Sequence, residues 1–146
     1  MTGSAPDRRP RPVPRWAAVQ APATTVGLKR LTKAFERFAT EHKVAAAPRH
    51  DMQLALDEIL SNAVKHGRRG GRITLELSVS RGVLQATICD DAAAYNPLKA
   101  ARPRTDQPLH ERPIGGLGIL LVTTLMHSVR YRRERRRNCL TLRRRV

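Results

Sequence analysis

Residues 57–67 read Asp57-Glu58-Ile59-Leu60-Ser61-Asn62-Ala63-Val64-Lys65-His66-Gly67. Leu56, Ile59, Leu60 and Ala63 recur at helical steps, which predicts a helix from about Pro48 to His66, closed by Gly67. Glu58 and Asn62 share a second face, with His66 one further turn on and Lys65 at its border. A carboxylate and an amide so placed suit metal–phosphate chemistry. The amide offers a carbonyl oxygen to Mg2+, and the carboxylate can orient or deprotonate a nucleophile. A plain solvated polar face has the same pattern, so this helix needs its neighbours to decide it.

Upstream, Val26 to His42 reads as an amphipathic helix carrying Leu28, Leu31, Phe35 and Phe38 on one side. Trp16 to Val19 suits an edge strand before Pro22, and residues 1–15 form a Pro/Arg-rich tail too polar to bury a core. Downstream, Ile73, Leu75, Leu77 and Val79 alternate with polar residues, as do Leu84, Ala86 and Ile88, with Ser80-Arg81-Gly82 as the turn between two strands. Ala92 to Ile114 shows no period, and a loop of that length in a compact domain usually has a task. A short helix over Leu117–Met126 and two strands near Val129–Arg133 and Cys139–Arg143 complete the chain. The order predicts one α+β domain over residues 16–146. Its helices form one layer on one face of a mixed, mostly antiparallel sheet.

Two more places carry polar chemistry. Asp90 and Asp91 end a strand before Ala92-Ala93-Ala94-Tyr95-Asn96-Pro97, and a carboxylate there can accept a hydrogen bond from an exocyclic amine such as that of adenine. Gly115-Gly116-Leu117-Gly118 opens a helix, where bare backbone and free N–H groups suit a phosphate. Each motif alone is commonplace: strand-end aspartates form turns, and glycines at helix starts make tight bends.

In this order the three stretches resemble the GHKL (Bergerat-fold) ATPase superfamily, and within it the anti-sigma-factor serine kinases. Residues 57–67 match the family's N box, Cys89-Asp90-Asp91-Ala92 with Tyr95-Asn96-Pro97 its G1 box, and Gly115-Gly116-Leu117-Gly118-Ile119 its G2 box. Val129-Arg130-Tyr131 and Asn138-Cys139-Leu140-Thr141 match its closing strands. The resemblance implies a two-layer Bergerat sandwich that binds ATP and Mg2+. It implies Asn62 as the Mg2+ ligand and Glu58 as general base toward a serine hydroxyl. Asp90 would hold the adenine amine with support from Thr141, and Gly115, Gly116, Leu117 and Gly118 would hold the phosphates. Lys65, His66, Ala92 and Asn96 would complete the nucleotide site. Residues 98–113 would be a lid from which Lys99, Arg102, Arg104 or Arg112 meets the γ-phosphate. The implied partners are a sigma factor and a STAS-domain anti-anti-sigma protein, with a homodimer also in the family's repertoire.

The sequence departs from the family at Ala92, where a glycine is usual. A methyl there either crowds the base or demands a backbone angle that alanine dislikes. The alternative reading is therefore a protein clamp of the same fold with a degraded nucleotide site. Tyr95 and Asn96 replace the usual Phe and Asp, and His127 stands where the family often has Asp.

Bulk composition narrows the partners. The 146 residues carry a formal charge of +16, with arginines crowded over residues 130–145. Such a surface favours acidic partners, yet one Trp, two Tyr and two Phe leave little for base stacking, which disfavours a nucleic-acid role. No apolar run is long enough to span a bilayer and no signal-type segment opens the chain, so the expected compartment is the cytoplasm. Cys89 and Cys139 are expected to be buried free thiols, since two cysteines make no disulfide framework.

Overall fold

The computed structural model describes Gly3, residues 15–100 and residues 116–146. Its elements are β1 (Trp16–Pro22), α1 (Thr25–Glu41), α2 (Ala46–Lys65), β2 (Arg72–Ser80), β3 (Val83–Asp90), α3 (Pro97–Ala100), α4 (Gly116–Leu125), β4 (Ser128–Glu134) and β5 (Arg137–Arg145). The five strands form one sheet in the order β1-β2-β3-β5-β4. The α+β sandwich is as expected. Within it all four pairings are antiparallel. Most of the tail expected over residues 1–15 lies outside the described residues.

The alternation read from the sequence fixes the layers. Ile73, Leu75, Leu77, Leu84, Ala86, Ile88, Leu140 and Leu142 point to one face and are buried with Leu31 and Phe35 of α1, Met52, Leu56 and Leu60 of α2, and Val122 of α4. Thr74, Glu76, Gln85, Thr87, Thr141 and Arg143 take the other parity and form the open face. At about 25 cal/mol per Å2 of apolar surface removed from water, that single core is the main stabilising term.

Local signals set the element ends. Thr24 caps α1, its hydroxyl accepting from the Gly27 N–H at 3.1 Å. Gly27 has no alternative, because a Cβ there would collide with the Pro22 carbonyl and push the helix off the strand. Helix α2 starts at Ala46, ahead of Pro48; proline is tolerated in a first helical turn, where the missing N–H had no partner. Two tight turns close the hairpins. Arg81 and Gly82 (φ 50 and 73°) join β2 to β3, and Arg135 and Arg136 (φ 48 and 62°) join β4 to β5. Two successive left-handed residues are what a type I′ turn needs, and it matches the twist of the strands.

The expected free thiols are not found. Cys89 and Cys139 stand directly opposite each other across β3 and β5 and form a disulfide on the open face. Their Cα atoms are 4.2 Å apart, the close approach that antiparallel register gives to a non-hydrogen-bonded pair. The alternation placed each cysteine in a strand. It could not say that these two strands are neighbours, because the chain runs through α3 and α4 between them. The crosslink spans 50 residues, so adding a reductant, or replacing both cysteines with serine, should lower unfolding stability by about 2–4 kcal/mol. Denaturant titration with and without dithiothreitol measures this; coincident curves for the unsubstituted protein would contradict it.

Candidate functional site

A cavity of about 270 Å3 opens between the second half of α2 and the ends of β3 and β5. Ile59, Asn62, Ala63 and His66 line one wall, Ile88, Asp90, Tyr131, Asn138 and Leu140 the floor, and the stretch from Ala92 to Tyr95 the rim. The lining is mostly apolar with a few convergent polar groups, the usual character of a small-molecule site. His66 and Tyr95 stand at its mouth with ring centroids 5.5 Å apart.

The polar groups converge on one residue that the sequence reading did not single out. Asn138 is 7% exposed and its amide is fully engaged. Its Nδ2 donates to Asp90 Oδ1 and to the Ala93 carbonyl, each at 3.0 Å. Its Oδ1 accepts from the Tyr131 hydroxyl at 2.6 Å, the Tyr95 N–H at 3.0 Å and Arg133 Nη1 at 3.2 Å. One side chain thus ties two strands to the rim loop. Asp90 Oδ1 also accepts from the Ala92 N–H at 3.0 Å. Among the described residues Oδ2 takes no hydrogen bond, which leaves an acceptor for a donor in the cavity.

Thr141, expected to support Asp90, does not reach it. It pairs with Thr87 across β3 and β5, hydroxyl to hydroxyl at 3.2 Å, on the open face. Asn138, three residues earlier on the same strand, has the opposite parity and faces the cavity. The signal was present in the period-2 alternation: Leu140 and Leu142 are core, so Asn138 points with them and Thr141 against them.

The two aspartates also separate. Asp90 belongs to the cavity, whereas Asp91 turns to the loop after α2. Its Oδ1 accepts from the Arg72 N–H at 3.1 Å and its Oδ2 from Arg68 at 3.2 Å. Burial alone pushes its carboxyl up, but the Arg68 guanidinium and the Arg72 N–H outweigh that and hold it below the usual carboxylate range. Ala92 is buried beside it, and its backbone is ordinary: the left-handed non-glycine residues among those described are Lys43, Arg81, Arg135 and Arg136. Of the two costs expected at Ala92, the angle is removed and only the methyl remains.

Glu58 meets the glycine-rich turn. A Cβ added to Gly118 would overlap the Glu58 carboxyl group, so the start of α4 lies directly on that side chain. Asn62 Nδ2 donates to Glu58 Oε1 at 3.4 Å, one turn along α2, which leaves the Asn62 carbonyl oxygen to the cavity. Lys65 is exposed and lies outside the lining. Asn96 spends its side chain on α3, accepting from the Leu98 N–H at 3.0 Å, and is likewise outside the lining. His127 accepts from the Arg145 N–H through Nδ1 at 3.1 Å, a strand-end role. Gly116 opens α4. Gly115, and the expected lid beyond Ala100 with Arg102, Arg104 and Arg112, lie outside the described residues.

Comparison with known proteins agrees with this geometry. A family profile described as "Histidine kinase-like ATPase domain" matches residues 21–144. The chain belongs to this family. It is 34% identical over 110 residues to the serine/threonine-protein kinase BtrW of Bordetella bronchiseptica, covering 73% of this chain and 78% of that one. It is 27% identical over 117 residues to the serine-protein kinase RsbW of Bacillus mycoides, covering 76% and 72% respectively. A crystal structure of the RsbU and RsbW domains of a Mycobacterium tuberculosis protein superposes with a TM-score of 0.65 at 16% identity. It covers 89% of this chain and 32% of that one, and bears on the fold alone. The relatives place this histidine kinase-like ATPase domain in the anti-sigma serine kinase branch of the GHKL fold.

Two outcomes follow for the domain. Asn138→Leu takes the shared partner from Asp90, the Tyr131 hydroxyl and the Tyr95 N–H at once, and should cost about 2–4 kcal/mol of stability by denaturant unfolding. Asp91→Asn should cost under about 1 kcal/mol at pH 7, because the Arg68 pair is exposed. A carboxyl whose folded pKa is depressed stabilises above its unfolded value of about 3.9 and loses that as pH falls through the folded one. The stability gap between Asp91→Asn and the unsubstituted protein should therefore close on acidification below about pH 4; a gap that widens there would contradict it.

Proposed function

We propose that this chain is an ATP-dependent protein serine kinase of the anti-sigma-factor type, acting in the cytoplasm. Its substrate in this reading is a serine of a STAS-domain anti-anti-sigma protein, which it phosphorylates while sequestering a sigma factor. The observation that carries the reading is the contact of Glu58 with Gly118, which joins a candidate base to a candidate phosphate cradle beside the Asp90 cavity.

The donor set fits Mg-ATP. Among the described residues no three of His, Cys, Asp and Glu gather into a metal site, and Mg2+ characteristically rests on substrate phosphates with one or two protein oxygens. The Asn62 carbonyl is such an oxygen. Asp90 Oδ2 is an acceptor-only group suited to the exocyclic amine of adenine and unsuited to a carbonyl at that position. The apolar walls from Ile59, Ile88 and Leu140 suit a flat base. Free N–H groups at the start of α4 suit phosphate oxygens.

ATP would supply the transferable phosphoryl group, with Mg2+ balancing its charge. Glu58 takes the proton of the incoming serine hydroxyl as its oxygen bonds to the γ-phosphorus and the bond to ADP breaks. Asn62 holds Glu58 in place through their hydrogen bond. The protein does little covalent work, as phosphoryl transfer rests on positioning and electrostatics.

Calorimetric titration with ATP, with and without Mg2+, and phosphate transfer to a STAS-domain protein test the reading. Glu58→Gln should lower transfer by about 100-fold or more and leave ATP affinity within a few-fold. Asp90→Asn should weaken ATP binding by about 10- to 100-fold, the loss of one hydrogen bond to a charged group. Partner binding without any ATP affinity would replace this reading with the protein clamp that the Ala92 methyl favours.

A further inference from the structure

We propose that the outer edge of β4 is a docking strip for an extended partner segment in which acidic and apolar residues alternate. The sheet order leaves β4 at one edge. The turn at Arg135 and Arg136 fixes which of its backbone groups point outward, since Glu134 and Arg137 are the closing pair. In a hairpin with a two-residue turn the closing pair exchanges its hydrogen bonds and the pairs alternate from there. Arg132, Arg130 and Ser128 therefore bond to β5, and Val129, Tyr131 and Arg133 turn their N–H and C=O groups to the edge. A row of such groups is a template for an added strand.

The side chains say what kind of strand. Arg130 and Arg132 are exposed on the open face, about 6.5–7 Å apart along the strand. Arg143 stands beside them on β5, paired with Ser128. Glu134 reaches Arg132 at 3.0 Å, but both groups are well exposed and such a pair is weak. On the opposite face Val129 and Tyr131 are half-buried against the core. The Tyr131 hydroxyl is already bonded to Asn138, so the ring presents its apolar surface. An added strand puts alternate side chains on these two faces. Carboxylates would then lie beside Arg130 and Arg132, and small apolar groups beside Val129 and Tyr131.

Other occupants fit less well. A second copy brings another +16 and sets its own arginines against these. Nucleic acid needs stacking surfaces, and Trp16, 67% exposed, lies on β1 at the far edge of the sheet. An acidic protein segment answers both the charge and the open backbone. Tyr131 also borders the cavity, but the strip needs no bound nucleotide, so this inference survives the failure of nucleotide binding.

The test uses the full chain and three fluorescein-labelled probes in anisotropy titrations. They are an alternating peptide (Thr-Glu-Val-Glu-Val-Glu-Val-Thr), a block peptide of the same composition (Thr-Glu-Glu-Glu-Val-Val-Val-Thr) and a uridine oligonucleotide. The alternating peptide should bind about ten-fold tighter than the block peptide, and Arg130→Glu with Arg132→Glu should weaken it at least about ten-fold. Both positions are exposed, so the doubly substituted protein should keep its circular dichroism spectrum. Bound alternating peptide should also slow amide exchange at Val129, Tyr131 and Arg133. Equal affinity for the two peptides, unchanged exchange at those amides, no peptide binding, or tighter binding of the oligonucleotide would each overturn the proposal.

Discussion

The hydrogen bond from the Asn138 amide to Asp90 holds the working end of the molecule together. It joins the last residue of β3 to the second residue of β5, two segments separated by a long excursion of the chain. The same amide group fixes the rim loop through Ala93 and Tyr95 and takes up the Tyr131 hydroxyl. A buried amide is costly when half-satisfied and rigidifying when every donor and acceptor is used. Here all are used. Cys89 and Cys139 are the next pair along the same ladder and crosslink its other face. The cavity floor is therefore clamped from both sides of one sheet.

Against that fixed floor the helices bring the remaining groups. α2 runs along the wall and carries Glu58, Asn62 and His66 on one side while Leu56 and Leu60 enter the core. α4 crosses close enough that only glycine fits at position 118. Packing of α4 and positioning of Glu58 are thus one constraint, since moving the helix by even a methyl radius displaces the carboxylate. Residue choice in the core and chemistry at the site are not separable at this contact.

Much of this was legible in the sequence, for identifiable reasons. The helices and hairpins followed from periods of 3.6 and 2, and the polar face of α2 from the spacing of Glu58 and Asn62. What was missed depended on which strands are neighbours. The disulfide needs β5 beside β3, and so does the Asn138 hub. Thr141 was assigned to the cavity by resemblance, although its parity with Cys139 already put it on the open face. Asn96 caps α3 because a four-residue helix forms where only irregular chain was expected. Ala92 carried two expected costs, a crowding methyl and a disfavoured angle, and its backbone shows that the left-handed region is not required there.

The insertion of β5 between β3 and β4 also governs how the domain comes into being. β1 and β2 meet across α1 and α2, with Pro22 opposite Arg72 and Trp16 opposite Ser78, so that pairing is long-range as well. The cavity floor has to wait for β5 to find β3 across a span of 50 residues, a search whose entropic cost must be met before its contacts return anything. Long-range antiparallel pairing of this kind slows folding. Ligand competence therefore depends on that one pairing: the floor combines Ile88 and Asp90 of β3 with Asn138 and Leu140 of β5, and a chain that has not joined them has no site to offer.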